Sequence, residues 1–243
     1  MELAGKVALV TGAGHRVGRA IAVALGSRGM KVGVHFNASE SEAAETVRLI
    51  EQAGGTAQQF GVDLTLDDAP RLLIDWTLRT FGGIDVLVNS AAVMLRMPFG
   101  EVTVPQWEMV LGLNLRAPFF ISQAAAPHLR ERRGAIVNVA DLAAFETWPG
   151  YLPHGISKAG VVYLTRALAR VMAPEVRVNG IAPGSVLLPE NWSGEDASRL
   201  NATTPLARLG SPADVTRTVL FILDSDYLTG ETIIVDGGRH IRQ

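Results

Sequence analysis

The chain has 243 residues, 48% hydrophobic and 19% charged, enough to bury a sizeable core in one large α/β domain or two small ones. A formal net charge of −2 argues against nucleic-acid binding, and the absence of cysteine excludes disulfide and thiolate chemistry. The longest run without Asp, Glu, Lys or Arg, 117–129, is too short to cross a bilayer, and Glu2 and Lys6 precede the first apolar run. A cytoplasmic protein with no membrane partner and no secretory leader is therefore expected.

Val7–Val10 reads as a strand buried on both faces, and it runs into the glycine turn of TGAGHRVG and a helix over 17–28. Met30–Phe36 reads as a second strand. Ser39 then caps a polar helix to Gln52, stopped by Gly54 and Gly55. A third strand, 57–62, precedes a helix over 67–81, and 86–89 is a fourth strand. The stretch 105–133 is helical around Asn114 with a bend expected near Pro118. Strands at 135–139 and 176–181 flank a long helix within 150–172. A loop-rich insert over 184–205, with one short helix, is expected to line the substrate, followed by a helix over 212–223 and a last strand over 232–236. Apolar strands alternating with helices predict one α/β domain over 1–243: a doubly wound parallel sheet of about seven strands with helices on both faces.

A strand, a glycine turn and a helix N-terminus together make a phosphate site. Glycine lets the backbone approach an anion while free N–H groups and the helix dipole favour negative charge. The site would draw on Thr11, Gly12, Gly14, His15, Arg16, Val17 and Gly18. A dinucleotide cofactor then depends on the end of the second strand, where an acid would accept hydrogen bonds from an adenosine ribose. This chain has none before Glu40. It offers His35, Asn37 and Ser39 as possible donors, and Arg16 as a partner for a 2′-phosphate. The expected cofactor is NADP(H), and no metal is expected.

TGAGHRVG, Asp63–Leu64, VNSAA at 88–92, Asn114, IVNVA at 136–140, the Lys158 segment, Pro183–Gly184 and LTGETIIVDGG at 228–238 stand in the order of the short-chain dehydrogenase/reductase family, which the chain resembles over its whole length. Arg16 within the glycine motif and Asp141 resemble the pteridine-reductase branch. The resemblance implies that Asp63 and Leu64 lie against adenine, and Asn89, Ser90 and Ala91 against the adenosine ribose. It also implies Lys158 on the nicotinamide ribose, and Pro183, Gly184 and Val186 around the carboxamide. It further implies a homotetramer formed through the helices 105–133 and 150–172, which carry Phe119, Phe120, Val161, Val162 and Leu168.

The family's Tyr-x-x-x-Lys has become HGISK here, so His154 stands where the phenol is usual and Asp141 lies thirteen residues before it. His154 and Lys158 are i and i+4 and share a helix face. A neutral imidazole is a poor acid, so an Asp141–His154 pair holding an imidazolium is the expected proton donor. Two other donors stay open, a protonated Asp141 acting through water and Tyr151. The resemblance gives Asn114 a role in a proton relay. At the substrate side it places Met94 where pteridine reductases carry an aromatic. Leu187, Leu188, Pro189 and Trp192 are expected as apolar contacts, with Phe145 and Trp148 beside them.

The expected activity is an NADPH-dependent hydride transfer to a C=O or C=N carbon of a small molecule, similar to that of pteridine reductases. The alternatives are a 3-oxoacyl thioester or general ketone reductase, and a catalytically weak NADP(H)-binding or sensor protein.

Overall fold

In the computed structural model, residues 1–187 and 194–241 are described. Seven parallel strands form one sheet: β1 (Val7–Val10), β2 (Lys31–Phe36), β3 (Thr56–Gly61), β4 (Val86–Asn89), β5 (Ala135–Val139), β6 (Arg177–Pro183) and β7 (Thr232–Val235). Their order across the sheet is β3-β2-β1-β4-β5-β6-β7. Every residue of β1, β4 and β5 is buried, which is why these strands are apolar runs and not alternating ones. At the edge, β3 (TAQQFG) has only Ala57 buried.

Helices cover both faces. Those described are α1 (Arg16–Ser27), α2 (Glu40–Gln52), α3 (Ala69–Phe81), α4 (Val104–Leu111), α5 (Ala117–Glu131), α6 (Leu152–Met172), α7 (Gly194–Thr203) and α8 (Pro212–Asp224). One core lies under α1 and α8, with Ile21, Leu25, Val32, Val219 and Ile222. A second lies under α3 and α5, with Leu73, Ile121, Leu129 and Ile136. Single residues do the punctuation: the left-handed Gly82 ends α3, and reciprocal bonds between Ser211 and Asp214 cap α8.

The 105–133 stretch is two helices, and the break falls at Asn114, ahead of the expected Pro118. Residues Gly112–Arg116 form a π turn between α4 and α5. Pro118 has no N–H to give to the carbonyl four residues back, that of Asn114, and the helical ladder opens there. The other expected elements are present, with ends that coincide or move by one or two residues. Winding reverses between β1 and β4, so the crevice for a ligand opens at their carboxyl ends.

Candidate active site

The turn after β1 leaves no room for a side chain at Gly12 or Gly18. Gly12 is left-handed (φ +64°), and a Cβ there would stand 2.8 Å from Ala91 Cα. A Cβ on Gly18 would collide with the Gly12 carbonyl oxygen. The Thr11 hydroxyl accepts the N–H groups of Ser90 (2.9 Å) and Ala91 (3.1 Å), which ties the end of β1 to the end of β4. His15, the N-cap of α1, makes no side-chain cap, so the first N–H groups of that helix are left for an anion. The donor set and the close backbone fit a dinucleotide phosphate.

Arg16 is exposed and left-handed (φ +53°), a conformation that glycine adopts without cost, and its Nη2 donates to the Leu187 carbonyl at 2.6 Å. The phosphate turn and the start of the 184–205 insert are thereby joined across the crevice. Asn37 is exposed at the end of β2, and the Ser39 hydroxyl lies 2.7 Å from where a Cβ of Gly14 would stand. His35 does not face the crevice as a donor. Its ring is buried, Nδ1 accepts the Gly12 N–H (3.1 Å) and Nε2 meets the Val62 carbonyl (2.9 Å). Burial pushes its pKa down to about 4, so the ring is neutral and supports the glycine turn from behind. Leu64 is buried beside Asp63, whose Oδ1 is held by Thr65 N–H (2.9 Å) and hydroxyl (2.8 Å). Asn89 donates to Asn138 (2.9 Å) and Ser122 (3.1 Å), deep in the sheet. Gly184 N–H donates to Val235 O (3.0 Å), joining the loop after β6 to β7, and Val186 is half-buried beside it.

Asp141, Asn114, His154 and Lys158 converge beyond the carboxyl ends of β4 and β5. Asp141 caps the 3-10 turn Leu142–Ala144, its Oδ1 accepting the Ala143 N–H at 2.8 Å. Its Oδ2 is 3.7 Å from His154 Nε2. The π turn aims the Asn114 amide inward, where Oδ1 accepts the Val93 N–H (2.8 Å) and Nδ2 donates to Val93 O (2.9 Å) and Ser157 Oγ (3.0 Å). Lys158 Nζ donates to Val139 O at 2.7 Å. Burial pushes the lysine pKa down to about 8, with the Asp141 charge offsetting part of that. Tyr151 packs edge-to-face on Trp148, which is also bonded to Glu146. Met94 and Phe145 are exposed at the rim. Leu188, Pro189 and Trp192 lie outside the described residues.

Ser157 and the Val93 backbone join this network without having been expected from the sequence. A carbonyl oxygen leaves no mark in the residue type that carries it, and Ser157 reads as an ordinary helical position. An apolar groove of about 940 Å³ lies elsewhere among the described residues. It lies over α4, α5 and α6, lined by Met109, Leu115, Phe119, Phe120, Tyr163 and Leu164. Val161 and Val162 turn inward to the protein's own core, so only part of the apolar set on these helices faces out.

A family profile described as Enoyl-(Acyl carrier protein) reductase matches residues 12–240. The 3beta-hydroxysteroid dehydrogenase 1 of Eggerthella lenta is 34% identical, over 98% of this chain and 94% of its own. The 3-oxoacyl-(acyl-carrier-protein) reductase FabG of Staphylococcus aureus is also 34% identical, over 97% and 98%. Among solved structures, a dehydrogenase/reductase from Sinorhizobium meliloti 1021 superimposes with a TM-score of 0.92 at 33% identity, covering 98% of this chain and 97% of that one.

Proposed function

The chain is an oxidoreductase of the short-chain dehydrogenase/reductase family, and from that premise we propose that it is an NADP(H)-dependent reductase of a small-molecule ketone or 3-oxoacyl thioester. The observation that carries this reading is the convergence of Asp141, Asn114, His154 and Lys158 beside the anion-binding turn. Bound at that turn, NADPH supplies the hydride. The uncapped N-terminus of α1 holds the diphosphate, and the exposed Arg16, with no acid between Phe36 and Ser39, selects a 2′-phosphate. Lys158 orients the nicotinamide ribose, and the Asp141–His154 pair supplies the proton that the reduced oxygen needs.

Reduction of a C=N bond in a pterin is the second reading. Arg16 inside the glycine motif and Asp141 favour it, whereas Met94 offers no flat aromatic face for a pterin ring and the curated relatives above act on other substrates by name. NADPH oxidation in the presence of acetoacetyl thioester, a ketone panel and dihydropteridine separates the two. Turnover of the thioester or a ketone is expected. Turnover of dihydropteridine alone establishes the second reading, and NADPH binding without any turnover establishes a sensor protein.

The apolar groove over α4, α5 and α6 supports assembly into a homotetramer through this face, and the 184–205 insert is the substrate loop of a single domain spanning 1–243. Phe120→Asp and Tyr163→Asp, at exposed positions, are expected to give a smaller species by light scattering at micromolar concentration. A wild-type monomer there would remove the assembly proposal.

A further inference from the structure

Of the two members of the proton-bearing pair, Asp141 is the one a molecule in the crevice can touch. Its side chain is 26% exposed, against 3% for His154. The hydrogen positions on His154 follow from its neighbours. Asn114 has two amide hydrogens, and its closest acceptors are Val93 O at 2.9 Å and Ser157 Oγ at 3.0 Å. Ser157 gives its own hydrogen to His154 O at 2.7 Å and so is an acceptor toward Asn114. A third contact, Asn114 Nδ2 to His154 Nδ1 at 3.4 Å, is then left without a hydrogen. Nδ1 therefore carries the hydrogen and donates it to Val93 O at 3.2 Å.

That leaves Nε2 as the ring nitrogen with no committed hydrogen. It is fully buried, has no hydrogen-bond partner among the described residues, and faces Asp141 Oδ2. With no proton between them, a nitrogen lone pair would oppose a carboxylate oxygen out of water. A buried acceptor without a donor is costly, and one proton held by the pair removes that cost. Three other charged groups on the surrounding elements have partners of their own. Lys158, on α6, is bonded to Val139 O; Arg116, on the π turn, to Thr65 O and Asp67; and Glu146, beyond the 3-10 turn, to Trp148. The segment after β4 presents the Val93 backbone.

We propose that Asp141 and His154 share one proton, that Asp141 is the group that passes it to the substrate, and that His154 is a positioning residue behind the carboxyl. This rests on the reductase reading above. In the step, the carbonyl carbon gains a C–H bond from the nicotinamide hydride, the π pair moves to oxygen, and that oxygen takes the proton from Asp141. The pair is left one proton short, with carboxylate and imidazole lone pair opposed, and regains the proton from water at the exposed carboxylate. The unfavourable deprotonated state is what keeps the donor loaded.

The test starts with 15N-histidine NMR on the full chain across pH, with His154→Gln to assign the resonance. The expected result is a neutral Nδ1–H form for His154 and a midpoint at least one pH unit higher in the wild type than in Asp141→Asn, which keeps a side-chain oxygen for the Ala143 cap. A neutral Nε2–H form, or equal midpoints, would overturn the shared proton. Kinetics with NADPH and the best carbonyl substrate give the order of the two groups. Asp141→Asn is expected to lose at least 100-fold in kcat with NADPH affinity unchanged, whereas His154→Gln, whose amide still donates to Asp141, loses about tenfold with KM retained. Equal losses make His154 the donor and overturn the delivery through Asp141. Absence of turnover in a wild type that binds NADPH sinks the reductase reading and the delivery step, and the titration then decides the shared proton alone.

Discussion

Two histidines lie equally deep in this molecule, His35 behind the glycine turn and His154 beside Asp141 in the crevice, each 2% exposed. Burial therefore does not tell them apart; the accounting of their ring nitrogens does. His35 spends one nitrogen on the Gly12 N–H and the other on the Val62 carbonyl, a complete set for a neutral ring. His154 has Nδ1 committed to Val93 and Nε2 facing a carboxylate without a hydrogen bond. A buried polar group with all its partners holds a fold together. One left short inside a crevice retains a proton site for chemistry.

The largest effect that would break this contrast is on stability. His35→Phe fills similar space but leaves the Gly12 N–H and Val62 carbonyl without the ring, and is expected to cost about 2–4 kcal/mol in urea unfolding. His154→Phe leaves Val93 O with its Asn114 donor and should cost less than about 1 kcal/mol. Equal costs would mean the two sites are alike.

Acid should act on the same histidine. Burial holds the His35 pKa at about 4 in the folded chain, below the ordinary histidine value of 6.5 that the unfolded chain shows. The unfolded chain therefore binds more protons in that interval, and folding stability falls as pH drops from 6.5 to 4, by about 3 kcal/mol in all. Above pH 6.5 the contribution is constant. His35→Phe should flatten that slope in denaturation curves taken between about pH 4 and 7, and a slope that survives would assign it to other groups.

At the other end of the crevice the corresponding experiment is kinetic. Lys158 titrates at about 8 because it is buried, so kcat/KM, which reports the free enzyme, should fall about tenfold per pH unit above that. Lys158→Arg keeps the charge and should move the limb upward. A limb that stays in place would belong to a group other than Lys158.

The two regions also differ in how far they could be read from residues alone. Strand burial, the parallel sheet and the glycine turn all follow from apolar runs and punctuation, because those patterns are set by the backbone's own geometry. The meeting of Asp141 with His154 was also visible, as a spacing on one helix and the strand end before it. Three features were not. His35 sits at a strand end where a cofactor-facing side chain is expected, yet strand alternation turns it under the turn. The π turn depends on a missing N–H at Pro118 whose effect appears four residues upstream. Ser157 and Val93 act through contacts that only the folded chain brings together.

The smallest expected effect concerns Arg16, which belongs to the glycine turn by sequence and reaches the loop after β6 through Leu187. Its left-handed backbone is a strained choice where glycine would be free, a cost of about 1 kcal/mol that a side chain with no task would not justify. Arg16→Gly removes the guanidinium and relieves that strain together, so the variant should melt no lower than the wild type. If Arg16 pairs with a 2′-phosphate, wild-type affinity for NADPH exceeds that for NADH by at least about tenfold, or 1.4 kcal/mol. The variant should then lose most of that preference by weakening NADPH while leaving NADH nearly unchanged, as read by fluorescence titration of both cofactors. Equal losses for the two would place the arginine on the shared diphosphate, and no loss for either would leave it a structural role that includes its bond to Leu187.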